Sequence, residues 1–170
     1  MLTSGGPERS VRIRDLVATD RDVLAWATLA NCNWCGERFT IGQVESLPEF
    51  SRYTVLRPER GDFGFVALEE GDVVGVVWVL YLMADEAGWG YVADGVGELS
   101  VCVREGYRGK GIGSRLIGLA LRRAAERGED RIGLSVEDGN PARGLYARLG
   151  FRDAGPGHPQ GTMVADLRNR

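Results

Sequence analysis

Residues 108–114 read Arg-Gly-Lys-Gly-Ile-Gly-Ser, in the place where a predicted strand gives way to a predicted helix. A helix start leaves backbone N–H groups unpaired and carries the positive end of the helix dipole. The glycines Gly109, Gly111 and Gly113 let a pyrophosphate approach those amides closely, from Arg108 through Ile112 to Ser114, and Arg108 and Lys110 add positive charge. The same residues also suit a plain strand-to-helix turn with solvated cations. Two other phosphate loops are excluded by spacing. A G-x-G-x-x-G fingerprint lacks its third glycine, and a Walker loop needs Ser or Thr after Lys110, where Gly111 stands.

Thiols offer a second chemistry. Cys32 and Cys35 form a C-x-x-C, the spacing of a redox pair or of half a zinc site. Only Cys102 and His158 remain to complete four ligands, and both are far along the chain, so no metal is expected and the pair reads as small residues flanking Trp34. An odd cysteine count argues against a disulfide framework and for reduced thiols. Cys102 as a nucleophile lacks a histidine near it in sequence, since the lone His158 falls in a distant loop.

The chain that must position these groups has 170 residues, a formal net charge of −3 and a pI near 5.3. That length suits one compact domain, and no repeat or linker divides it. The acidic balance gives no basic footprint for nucleic acid. The longest apolar run, 73–83, is broken by Gly75 and falls short of the roughly 20 residues of a membrane helix, so no membrane partner is expected. Residues 1–9 lack the apolar core of a secretory signal and read as a flexible leader to a single domain over 10–170, with a cytoplasmic location.

Period-2 patterning marks strands at 11–16, 63–68 and 73–83, the last two joined by a polar turn at 69–72. After a Gly-rich, aromatic loop at 85–95, the strand 98–103 puts Leu99, Val101 and Val103 on one face and Glu98, Ser100 and Cys102 on the other. Helices follow Thr19 or Asp20 as a cap, span 41–47 up to Pro48, and run from 112 to 127, where Gly128 stops them. A strand at 132–136 precedes Asn140 and Pro141, a capping residue and a first-turn proline for a helix ending at Gly150. Strands from 151 and at 162–167 close the chain. The order is that of an α/β or α+β domain with helices packed on one mixed sheet.

Arg108, Gly111 and Gly113 also fit R/Q-x-x-G-x-G/A, and the stretches ELSVCVREGYRGKGIGSRL and NPARGLYARLGFR, between residues 98 and 152, resemble the two central motifs of the GCN5-related N-acetyltransferase (GNAT) superfamily in order and spacing. The first 60 residues are similar only in the order of their elements. The resemblance implies a mostly antiparallel sheet of about seven strands, splayed between strands 4 and 5 and flanked by about four helices. It implies acetyl-coenzyme A as cofactor, with the pantetheine arm on Val101, Cys102 and Val103 and the pyrophosphate on the loop. Asn140 corresponds to a cofactor-contacting asparagine, or serves only as a helix cap. Tyr146 stands where many members place the acid that protonates the departing thiolate, or packs as a core aromatic.

The implied reaction is direct acetyl transfer, in a ternary complex, to an amine of a small molecule or peptide N-terminus. A homodimer is common in the family, and a non-catalytic acyl-CoA-binding module is the alternative. Glu98 is the candidate base for the amine's proton, or a solvated strand end. Some members carry a glutamate base where Ser135 stands here, and Glu105 replaces a common proline. The acceptor wall is expected from Trp34, Phe39, Trp89 and Tyr91, with the acids Asp85, Glu86 and Asp94 close by or merely solvated.

Overall fold

The computed structural model describes residues 10–170. The expected leader at 1–9 lies outside them. Seven strands form one sheet: β1 (Arg12–Asp15), β2 (Phe63–Glu69), β3 (Asp72–Leu80), β4 (Gly97–Val103), β5 (Arg131–Ser135), β6 (Phe151–Asp153) and β7 (Thr162–Asp166). Their order is β1-β2-β3-β4-β5-β7-β6. All neighbours run antiparallel except β4 and β5, which are parallel and meet only at Gly97 with Ile132 and Glu98 with Gly133. Beyond that row, among the described residues, the two strands diverge and leave the facing edges of residues 99–103 without a sheet partner.

Alternation along the strands sorts the core into two layers. On one side the long helix α4 (Ile112–Glu126) buries Ile112, Leu116, Ile117, Ala120, Leu121 and Ala124 against Phe65, Val77, Leu99, Ile132 and Leu134. On the other, α1 (Arg21–Cys32) sets Leu24 and Ala27 against Val66, Val76, Trp78 and Cys102. Leu99 and Cys102 therefore occupy opposite faces, as their spacing predicts.

Three short helices complete the set: α2 (Ile41–Ser46), α3 (Pro48–Ser51) and α5 (Ala142–Arg148). The count exceeds the expected four because Pro48 opens a further turn instead of only ending α2; a first-turn proline lacks the N–H that would go unpaired there anyway. Asp20 also departs from expectation. It sits at the N-cap of α1, but its carboxylate accepts from Arg14 at 2.8 and 2.9 Å and from the Val17 amide at 2.9 Å instead of capping the helix. Asn140 departs too: Pro141, not Asn140, is the N-cap of α5, which has no side-chain cap, and Asn140 Oδ1 instead closes a turn before the helix by accepting from the Ala142 amide at 3.0 Å.

Candidate active site

Several of the sequence-predicted groups lie along β4 and at the start of α4. Gly111 is the residue before α4, with φ of 81°, the left-handed region that glycine occupies without strain. Among the described residues, no backbone or side-chain oxygen accepts from the amides of residues 109–114, and no side chain caps the helix. A Cβ added to Gly111 would meet nothing within 4 Å, so the corner is open. Arg108 bends back to donate from Nε to the Val103 carbonyl at 3.1 Å, and Lys110 Nζ lies 5.3 Å from the centre of the Tyr107 ring. An open strand edge, free amides and two exposed cations thus border one gap.

On α5, Tyr146 is 9% exposed, its ring 6.0 Å from that of Phe151. Burial pushes its hydroxyl up to about 12, and proximity to Cys102 adds to the shift. It is therefore protonated at neutral pH and equipped to donate. The Cys102 thiol is pushed up to about 11 by burial, the opposite of an activated nucleophile.

Glu98 is not a solvated strand end. It is 4% exposed, its Oε1 accepts from the Gly90 amide at 3.1 Å, and the Tyr53 hydroxyl hydrogen-bonds its carboxylate. Burial pushes its acid up to about 7, only partly offset by Tyr53, Gly90 and Arg52. Burial, then the negative charge of Glu98, raises the Tyr53 hydroxyl far above its ordinary value, so Tyr53 stays a donor. The cover over Glu98 comes from the β3–β4 loop. A Cβ on Gly88 would lie 2.2 Å from the Tyr53 hydroxyl and 2.4 Å from Glu98 Oε1, and one on Gly90 would lie 2.6 Å from the Leu134 carbonyl carbon. Only glycine lets this loop press so closely onto the sheet.

Of the four expected wall aromatics, two come together. Trp89, 47% exposed, stacks on Tyr53 with ring centres 5.4 Å apart and 10° between planes, and it touches Phe50, which packs on Phe39 at 4.8 Å. Trp34 shows no ring contact with them, and its indole N–H donates to Glu137 Oε2 at 3.0 Å. Tyr91 ties back into its own loop through Asp94 at 2.6 Å, and Asp85 and Glu86 stand exposed in a short turn. Phe50 and Tyr53 are missing from the sequence-derived list. The only signal available for them was that both are large aromatics in a segment with no clear period.

Cys32 is half-buried at the end of α1 and Cys35 is exposed. Burial pushes Cys32 up to about 11, which disfavours its thiolate. Among the described residues, no three His, Cys, Asp or Glu side chains gather where a metal ion would be held. No helix among them is long and apolar enough to cross a membrane.

The family model described as "Acetyltransferase (GNAT) family" matches residues 22–151. Mycothiol acetyltransferase of Corynebacterium aurimucosum is 36% identical over 80 residues, 46% of this chain and 24% of that protein. L-methionine sulfoximine/L-methionine sulfone acetyltransferase of Pseudomonas aeruginosa is 42% identical over 62 residues, 36% of each chain. These matches span well under two thirds of either relative's length. The crystal structure of PaiA N-acetyltransferase from Thermoplasma acidophilum in complex with coenzyme A shares the fold, with a TM-score of 0.64 over 92% of this chain and 99% of that one at 18% identity.

Proposed function

The chain belongs to the GNAT acetyltransferase family, and on that premise we propose that it transfers the acetyl group of acetyl-coenzyme A directly to an amine, of a small molecule or a peptide N-terminus, within a ternary complex. The observation that supports this reading is the end of β4–β5 pairing at Glu98, which leaves the edge of residues 99–103 without a sheet partner a few residues before the amides that open α4. Those donors fit the cofactor: the amides of residues 109–114 with Arg108 and Lys110 suit the pyrophosphate, and the open edge of Val101, Cys102 and Val103 suits an extended pantetheine amide chain.

Acetyl-coenzyme A supplies a thioester whose sulfur leaves as a thiolate. The protein's own part is proton management and polarisation. An alkylamine is mostly protonated at neutral pH, and Glu98, half ionised near pH 7, takes its proton. A backbone N–H of the 101–103 edge polarises the thioester carbonyl. Tyr146, protonated throughout the physiological range, returns a proton to sulfur. Phe39 and Trp89, backed by the buried Phe50, present ring faces on which a cationic or apolar acceptor rests. The three free thiols suit the reducing cytoplasm.

The test follows thiol release from acetyl-coenzyme A with a panel of primary amines that includes L-methionine sulfone. Turnover with intersecting initial-velocity lines is expected. Tight cofactor binding with no turnover on any amine would instead make the chain a binding module. Tyr146→Phe is expected to lower kcat roughly a hundredfold with coenzyme A affinity unchanged, and equal kcat would remove the acid role. Replacing both Cys32 and Cys35 by serine is expected to leave Tm and coenzyme A affinity unchanged; a tenfold loss of affinity, about 1.4 kcal/mol, would revive a dithiol role.

A further inference from the structure

Trp34 and Arg38 reach from the segment after α1 to Glu137, the second residue beyond β5. The Arg38 guanidinium grips both carboxylate oxygens, at 2.9 and 3.1 Å, and the Trp34 indole N–H adds a third bond at 3.0 Å. The planar fork of arginine matches a carboxylate in both distance and direction. The Trp34 ring also rests on the same loop, 4.0 Å from where a Cβ of Gly139 would stand.

Each end of this bridge is fastened to a part of the proposed site. On the α1 side, Asn33 Oδ1 accepts from the amides of Arg38 and Phe39 at 3.0 and 2.9 Å, and its Nδ2 donates to the Phe39 carbonyl at 3.0 Å. Arg38 also donates through Nε to the Cys32 carbonyl at 3.0 Å. Where Arg38 goes, Phe39 follows, and Phe39 packs on Phe50 in the aromatic wall beside Trp89. On the β5 side, the Glu137 carbonyl accepts from the Asn140 amide at 3.1 Å, and Asn140 Oδ1 accepts from the amide of Ala142, the first residue of the helix that carries Tyr146. A continuous run of contacts therefore joins Phe39 to the 137–140 loop and the start of α5.

We propose that Glu137 is a positioning residue that couples coenzyme A binding to closure of the acceptor wall, by passing the ordering of the 137–140 loop through Arg38 and Trp34 to Phe39. The inference rests on the cofactor reading above. Both partners are substantially exposed, with side chains 37% and 54% accessible, and exposed ion pairs hold weakly, so the bridge is able to form and break with occupancy of the gap. Coupling of this kind is reciprocal: an amine that closes the wall also tightens coenzyme A.

Hydrogen exchange read by mass spectrometry, with coenzyme A itself as probe and calorimetry alongside, tests the proposal. In the wild-type protein, saturating coenzyme A is expected to slow exchange of the amides of residues 33–40 about fivefold, the lower end of ordinary coupling. Glu137→Gln, which keeps the shape and loses the charge, and Arg38→Gln, which breaks the pair from the other side, are each expected to abolish that slowing with Tm unchanged. The reversed pair Arg38→Glu with Glu137→Arg is expected to restore it. Slowing that persists in both single variants, or its absence in a wild-type protein that calorimetry shows to be saturated, overturns the coupling. Failure of the wild-type protein to bind coenzyme A would instead sink the cofactor reading, and this inference with it.

Discussion

Gly111→Glu is expected to abolish coenzyme A binding, with affinity falling at least about a hundredfold in calorimetry. Two physical effects combine. A non-glycine residue at φ of 81° costs roughly 1–2 kcal/mol, which the fold tolerates because the added Cβ meets nothing within 4 Å. The carboxylate then stands at the mouth of free amides, competing for them and repelling a diphosphate. Strain alone is controlled by Gly128→Glu, at the other end of α4, where φ is also 81° and the Cβ again finds open space. Both variants are expected to lose Tm, Gly128→Glu the more because its carboxylate meets the negative end of the helix dipole, and only Gly111→Glu to lose the ligand. Equal affinities in the two would contradict the assignment of the loop.

Glu98→Gln is expected to lower kcat roughly a thousandfold while leaving acetyl-coenzyme A affinity unchanged. In the wild-type enzyme, kcat/KM is expected to rise with pH through about 7, because only the ionised carboxyl accepts the amine's proton; the variant should lose that limb. Stability gives an independent check. The folded acid is raised above its ordinary value of 4.5, so the stability it contributes is fully present below that value and lost as pH rises through about 7. A neutral glutamine escapes the loss. Glu98→Gln should therefore be more stable than wild type at pH 8 by on the order of 3 kcal/mol, an advantage that fades toward pH 4. Unchanged turnover, or a pH profile that keeps its limb in the variant, would remove Glu98 from the proton path.

How much of this was legible beforehand varies with the physics of each residue. The faces of β4 followed from period 2, and the face of α4 from period 3.6, because both are local patterns. The order of elements and the motif at residues 108–114 located the gap. Its shape depends on where the pairing of β4 with β5 stops, which only the family resemblance announced. The burial of Glu98 was not legible, since its cover is a loop about ten residues upstream whose Gly88 and Gly90 show in the sequence only as part of a Gly-rich, aromatic stretch. Tyr53 and Phe50 escaped because Pro48 masks any period around them and short turns carry no face. The partner of Trp34 was hidden for a related reason. Composition shows that a ring is present, but not that its N–H has a carboxylate to meet a hundred residues on.

The central claim is that the amides opening α4 hold a diphosphate. Titrating coenzyme A into uniformly 15N-labelled protein reads those amides one by one. The amide protons of Gly111, Ile112 and Gly113 are expected to move strongly downfield together as they gain a charged acceptor, saturating with the calorimetric affinity. Binding that shifts resonances elsewhere and leaves these three where they were would contradict it.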